Sequence, residues 1–85
     1  MALDPTPSSP LREFVEFVAR MLARSPDDVR VEETIDGGTI VYRLQLAQDD
    51  VGRVIGREGR IIRSIRSLLR AAAVRQGVRV VLEID

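Results

Sequence analysis

The 85-residue sequence contains no cysteine, no histidine, no tryptophan and no lysine. Without cysteine there is no disulfide framework and no thiolate metal site, and without histidine the commonest metal ligand and general base is missing. No familiar nucleophile–base pair or metal cluster can be assembled from what remains, so the sequence predicts neither catalytic residues nor a bound metal. The aromatics are Phe14, Phe17 and Tyr42, all at positions predicted to face a core, which leaves nothing to build an exposed base-stacking platform. No apolar run approaches the roughly 18 residues of a membrane span. The opening MALDPTPSSP has neither a basic nor an apolar signal segment, so the expected location is the cytoplasm, away from membrane.

What is present suits one small globular unit. Hydrophobic residues make up 45% of the chain, enough for a modest core. Residues 1–8 read as a flexible Pro/Ser leader and residues 9–85 as the domain. The formal net charge is zero, yet the charges are segregated. Residues 1–51 carry 5 Arg against 10 Asp and Glu, whereas residues 52–79 carry 8 Arg against a single Glu. That all 13 basic residues are arginine suits bidentate phosphate recognition, but an Arg-favouring codon usage explains it more simply.

The pattern predicts six elements. Ser9 and Pro10 can start a helix reaching about Arg24, with Leu11, Phe14, Val15, Phe17, Val18, Met21 and Leu22 on its apolar face. SPDD at 25–28 breaks it. Val29, Val31 and Ile35 then alternate with polar residues as in a half-buried strand, DGG at 36–38 makes a hairpin turn, and Ile40, Tyr42, Leu44 and Leu46 point inward on the return strand. Asp50 can cap a short helix over Val51–Ile55, and a longer helix spans about Arg60 to Gln76, closed by Gly77. Its buried arc holds Ile61, Ile62, Ile65, Leu68, Leu69 and Ala72, with Arg63, Arg66 and Arg70 along its flank. A last strand over Val78–Ile84 turns Val78, Val80, Leu82 and Ile84 to one side. The order α-β-β-α-α-β implies an α+β fold, its second and third strands parallel and adjacent through a right-handed crossover.

The stretch GRVIGREGRIIRSI, residues 52–65, concentrates the chemistry. Arg57 and Arg60 sit in or just after a glycine turn where the positive end of the following helix already favours an anion. Gly56 and Gly59 let the main chain approach a sugar-phosphate backbone closely. Alone, a G-x-x-G sequence is no more than an inter-helix turn, and an arginine stripe no more than a solvated face. GREGRI also lacks the GK[ST] ending of a nucleotide-binding loop, so no cofactor is predicted. The paired acids Asp27-Asp28 and Asp49-Asp50 precede element starts, where capping is their ordinary work.

The turn lies between two helices inside a β-α-α-β unit, and there VGRVIGREGRIIRSIRSLLRAAAVRQGVRVVLEI resembles the hnRNP K homology (KH) pattern. The whole element order resembles the bacterial type II version, a three-stranded mixed sheet covered on one face by three helices. Together with LREFVEFVARMLARSPDDVRVEE, nearly the entire chain resembles the short single-domain bacterial KH proteins of the KhpA type. The resemblance implies non-catalytic binding of single-stranded RNA and a bacterial RNA chaperone or post-transcriptional regulator. It gives Gly56, Arg57, Glu58 and Gly59 the backbone clamp, and makes Val54, Ile55 and Ile62 line an apolar groove or support its floor. Glu58 caps the following helix or accepts a base amino group. Arg53, Arg57, Arg60, Arg63 and Arg66 supply sequence-independent attraction.

The alternative is a protein-interaction module in which the fold mainly joins subunits and RNA binding is weak. Ser64, Ser67, Ala71 and Val74 fall within about 80° on the outer face of the long helix, small enough to let another helix approach. The resemblance implies self-association as a homodimer there, or pairing with a larger KhpB-like KH protein.

Overall fold

Ser9 sets where the first helix begins. Its Oγ accepts the main-chain N–H of Arg12 at 3.0 Å and Pro10 occupies the first helical position, so α1 (Pro10–Leu22) starts where a missing proline N–H costs nothing. The computed structural model describes residues 9–85; the proposed leader, residues 1–8, lies outside them. Glu16 pairs one turn away in both directions, with Arg12 at 3.7 Å and Arg20 at 3.0 Å.

The helix stops at Leu22, before the expected Arg24, because the chain finds better partners than another turn. The N–H groups of Arg24 and Ser25 go to the two carboxylate oxygens of Asp50, at 3.0 and 2.9 Å, and Ala23 turns extended. A single 3-10 turn over Pro26–Asp28 then leads to β1 (Arg30–Asp36). Strand β2 (Thr39–Gln45) returns antiparallel through Gly37 and Gly38. Both glycines have positive φ, 59° and 86°, as a two-residue turn between right-twisted strands requires. A 3-10 turn (Gln48–Asp50), the short helix α2 (Val51–Ile55), the glycine turn and the long helix α3 (Arg60–Gln76) follow. After Gly77, in the left-handed conformation, β3 (Arg79–Ile84) pairs parallel with β2, Tyr42 opposite Leu82. The sheet order is β1-β2-β3, so the mixed sheet and the parallel adjacency expected from the sequence are present.

The core lies between the sheet and the helices, built from Leu11, Val15 and Ala19 of α1, Tyr42 and Leu44 of β2, Val54 of α2, and Ile62, Ile65, Leu69 and Ala73 of α3. Tyr42 is fully buried, its hydroxyl 3.3 Å from Ser9 Oγ, and burial raises its pKa.

The buried faces are narrower than hydrophobicity alone suggests. Phe17 and Met21, placed on the core face of α1, are 64% and 69% exposed, while Ala19, a residue that pattern omitted, is buried. The fully buried line of α1 follows Leu11, Val15 and Ala19 at i, i+4 and i+8, with Phe14, Val18 and Leu22 packed partly buried beside it. Leu68 of α3 is 59% exposed, while Ala73, outside the predicted arc, is buried. Ile35 is 75% exposed on the edge strand β1, whose residues after Val31 are all exposed.

Candidate nucleic-acid interface

The glycine turn has two glycines with different reasons to be there. Gly56 adopts φ 78° and ψ 172°, a region almost confined to glycine, and a Cβ on it would stand 2.6 Å from Ile61 Cγ1. Gly59 is left-handed at φ 72° and ψ 18°, but a Cβ there would meet nothing closer than Arg63 Nη1, at 3.8 Å. Gly56 thus lets the turn fold down on Ile61, and Gly59 leaves an open approach with the Arg63 guanidinium beside it. The bonds that close the turn run from Gly56 N–H to Gly52 O, Gly59 N–H to Gly56 O and Arg60 N–H to Arg57 O; those of Arg57 and Glu58 are not used by it.

Glu58 also has positive φ, 55°, an uncommon conformation for a residue with a side chain. It is exposed and makes no capping bond to α3, whose first turn has no side-chain cap. The capping role expected for it is therefore not the one it plays.

Asp50 also departs from expectation. It makes no side-chain cap to α2. Its side chain is buried and holds Arg24 and Ser25 through their main-chain N–H groups, with Arg53 Nε 3.4 Å from Oδ1. Those two main-chain bonds hold its pKa below the usual carboxylate range, aided by the charge of Arg53. The segment after α1 is thereby tied to the start of α2, which carries the glycine turn.

The five arginines fall into distinct settings. Arg53 is engaged with Asp50. Arg57, Arg60 and Arg63 are exposed and, among the described residues, make no ion pair. Arg66 is half-buried and lies against β3, where Nε and Nη2 both donate to Leu82 O, at 3.2 and 3.1 Å. Val54 and Ile62 are buried in the core and Ile55 is half-buried against it.

The concave surface lies mostly on residues to which the sequence reading assigned no binding role, Arg66 and Val74 being the exceptions. Two adjoining grooves, of about 310 and 330 Å³, run between α3 and β3 and share Arg70, Val80 and Val81. The first adds Arg66, Leu69, Leu82 and Glu83; the second adds Ala73, Val74 and Val78. The signal for this groove was topological: a last strand paired on one side leaves its other edge open beside the preceding helix. An open concavity of about 700 Å³ on the other side of α3 joins Arg60 and Arg63 to Ser64, Ser67 and Leu68. Two of the arginines predicted to hold RNA thus share one surface with two of the residues predicted to hold a partner.

An α-β-β-α-α-β chain with a helix–glycine turn–helix under an open strand edge defines a type II KH domain. The family model described as "KhpA/KhpB, KH domain" matches residues 12–84, and the chain belongs to that family. Among its relatives, "RNA-binding protein KhpA" of Chlamydia pneumoniae is 43% identical over 74 residues, covering 87% of this chain and 95% of the relative. The protein of the same name from Clostridium perfringens is 39% identical, covering 87% and 99%. As a member of that family the chain is not an enzyme. A crystal structure of Era in complex with MgGDPNP and nucleotides 1506–1542 of 16S ribosomal RNA aligns with a TM-score of 0.56 at 19% identity. That likeness covers 96% of this chain and 35% of the Era chain, and concerns the fold alone. Among the described residues, no helix is long and apolar enough to cross a membrane.

Proposed function

We propose that the protein binds single-stranded RNA without catalysis, as an RNA chaperone or post-transcriptional regulator. The turn from Gly56 to Gly59 grips the sugar-phosphate backbone, and the groove between α3 and β3 receives bases. The observation that carries this reading is the turn itself: glycine at position 59 leaves its approach open, Arg63 lies beside it, and two main-chain N–H groups are not used in closing it. The positive end of the 17-residue α3 adds to the attraction for phosphate. The names of the relatives, RNA-binding proteins, support the same reading. Replacing Arg57 and Glu58 together by Asp tests it, since both are exposed and the change sets negative charge against phosphate. Loss of binding to an unstructured RNA with an unchanged melting curve supports the clamp; unchanged affinity refutes it.

A second reading rests on the exposed apolar residues. Arg12 bonds to Val31 O on the β1 side of α1, so Phe17 and Met21, about 140° and 180° further round the helix, lie on the side away from β1. With exposed Leu68 and with Ser64, Ser67, Ala71 and Val74 they provide a surface for a second copy of the chain or a KhpB-like partner. In this arrangement the protein is a homodimer whose two RNA sites act together.

A further inference from the structure

We propose that Arg66 reads one base of the bound strand and there favours guanine over adenine. The proposal rests on the RNA-binding reading above and adds a specificity that the reading does not contain.

The argument begins with the phase of the parallel ladder. Asp85 N–H donates to Leu44 O at 2.9 Å, and Leu44 lies opposite Ile84. In a parallel pair, this phase turns the main-chain groups of Arg79, Val81 and Glu83 toward β2, and those of Val80, Leu82 and Ile84 toward the open edge. The Leu82 carbonyl is therefore an edge acceptor at the mouth of the 310 Å³ groove. Left bare, it would accept an amino group, such as N6 of adenine or N4 of cytosine.

Arg66 changes what that edge offers. Two of its five N–H donors are taken by Leu82 O, which also fixes the guanidinium in the groove. The three left over include an outward pair on Nη1 and Nη2, and guanidinium has no acceptor at all. At this point the groove has exchanged a carbonyl acceptor for a two-pronged donor. Of the acceptors left nearby, the Val80 carbonyl lies two residues back along the same edge, away from the Arg66–Leu82 contact, and the Glu83 carboxylate is engaged by Arg43 Nη2 at 3.4 Å. Guanine presents two adjacent acceptors, O6 and N7, to such a fork, whereas adenine sets a donor beside each of its exposed acceptors, N7 and N1; cytosine meets the fork only by turning O2 and N3 of its Watson–Crick edge toward it. Uracil satisfies one prong through O4.

The test uses the full chain and single-stranded RNA hexamers, a uridine background with one central guanosine, measured by fluorescence anisotropy. The guanosine is exchanged for inosine, which keeps O6 and N7, for 7-deazaguanosine, which lacks N7, and for adenosine. Guanosine and inosine should bind alike, with 7-deazaguanosine and adenosine weaker by about fivefold to tenfold. Arg66→Lys, which keeps the charge and loses the fork, should level the four. Because the decisive comparison alters the ligand, a merely structural role of Arg66 in tying α3 to β3 would not produce it. Equal binding of guanosine and 7-deazaguanosine, with binding intact, overturns the proposal and leaves the RNA-binding reading standing. No binding of any hexamer overturns both.

Discussion

Gly56 is packed against Ile61: a Cβ on the glycine would lie 2.6 Å from Ile61 Cγ1 and 2.9 Å from Ile61 Cβ. The second distance matters more, since Ile61 Cβ is fixed to the backbone of α3 and cannot swing away. Gly56→Ala therefore meets both a forbidden conformation and a rigid neighbour, and should lower stability by about 2–3 kcal/mol. At Gly59 the space is open and only the left-handed conformation resists a side chain, so Gly59→Ala should cost about 1 kcal/mol. Urea unfolding of the two variants checks the difference. Equal losses would mean that the contact with Ile61 contributes nothing.

Asp50 gives the fold a sensitivity to acid. Its folded pKa lies below its unfolded value, so its stabilising effect is present above the ordinary carboxylate range and is lost as pH falls through the depressed value. With an unfolded pKa near about 3.9, the loss should begin below about pH 4. Asp50→Asn should melt at lower temperature than the wild type at neutral pH, since the amide cannot accept two main-chain N–H groups equally and loses its pairing with Arg53. The gap between the two proteins should narrow in acid. Melting curves from pH 7 to pH 3 that stay parallel would refute this account.

Binding should be salt-dependent to a degree set by which arginines are available. With Arg53 paired to Asp50 and Arg66 bonded to Leu82, three of the five predicted contacts are both exposed and, among the described residues, without an ion pair: Arg57, Arg60 and Arg63. Three phosphate contacts on a single strand imply that log K falls against log salt with a slope near about −2. Arg63→Ala should reduce its magnitude by about 0.7. A slope that the variant leaves unchanged would remove Arg63 from the interface.

The glycine turn and the element order were legible in the sequence because both are local. Gly56 and Gly59 fall between two helical periods, and Gly37-Gly38 can make little else than a tight hairpin. Other features required knowledge of which surfaces meet. The exposure of Phe17, Met21 and Leu68 depends on how little of α1 and α3 a three-stranded sheet can cover, and one helix's periodicity carries no information about its neighbour's width. Asp50 reads as the cap of the helix it precedes; its actual partners, Arg24 and Ser25, lie 26 and 25 residues earlier in the chain. The α3–β3 groove was likewise hidden, since Leu69, Val80 and Val81 look like ordinary core and strand residues until the strand is known to lie at an edge.

Leu68 offers the sharpest test of self-association. It is exposed on α3 and lines the same open concavity as Ser64 and Ser67, whose short side chains leave room for a second helix. A two-fold contact repeats this stripe on both subunits, so one substitution places two carboxylates in the interface, where desolvation and mutual repulsion add. Leu68→Glu should therefore shift sedimentation from dimer to monomer at micromolar concentration, while its helical circular dichroism stays unchanged because the residue supports no core contact in the single chain. Arg60 and Arg63 border the same concavity, so a dimer formed there brings four arginines together. Added salt should strengthen the wild-type dimer by screening them, as the same salt weakens RNA binding. A wild type that sediments as a monomer under all these conditions, identical to the variant, would leave Leu68, Ser64 and Ser67 without a role in pairing.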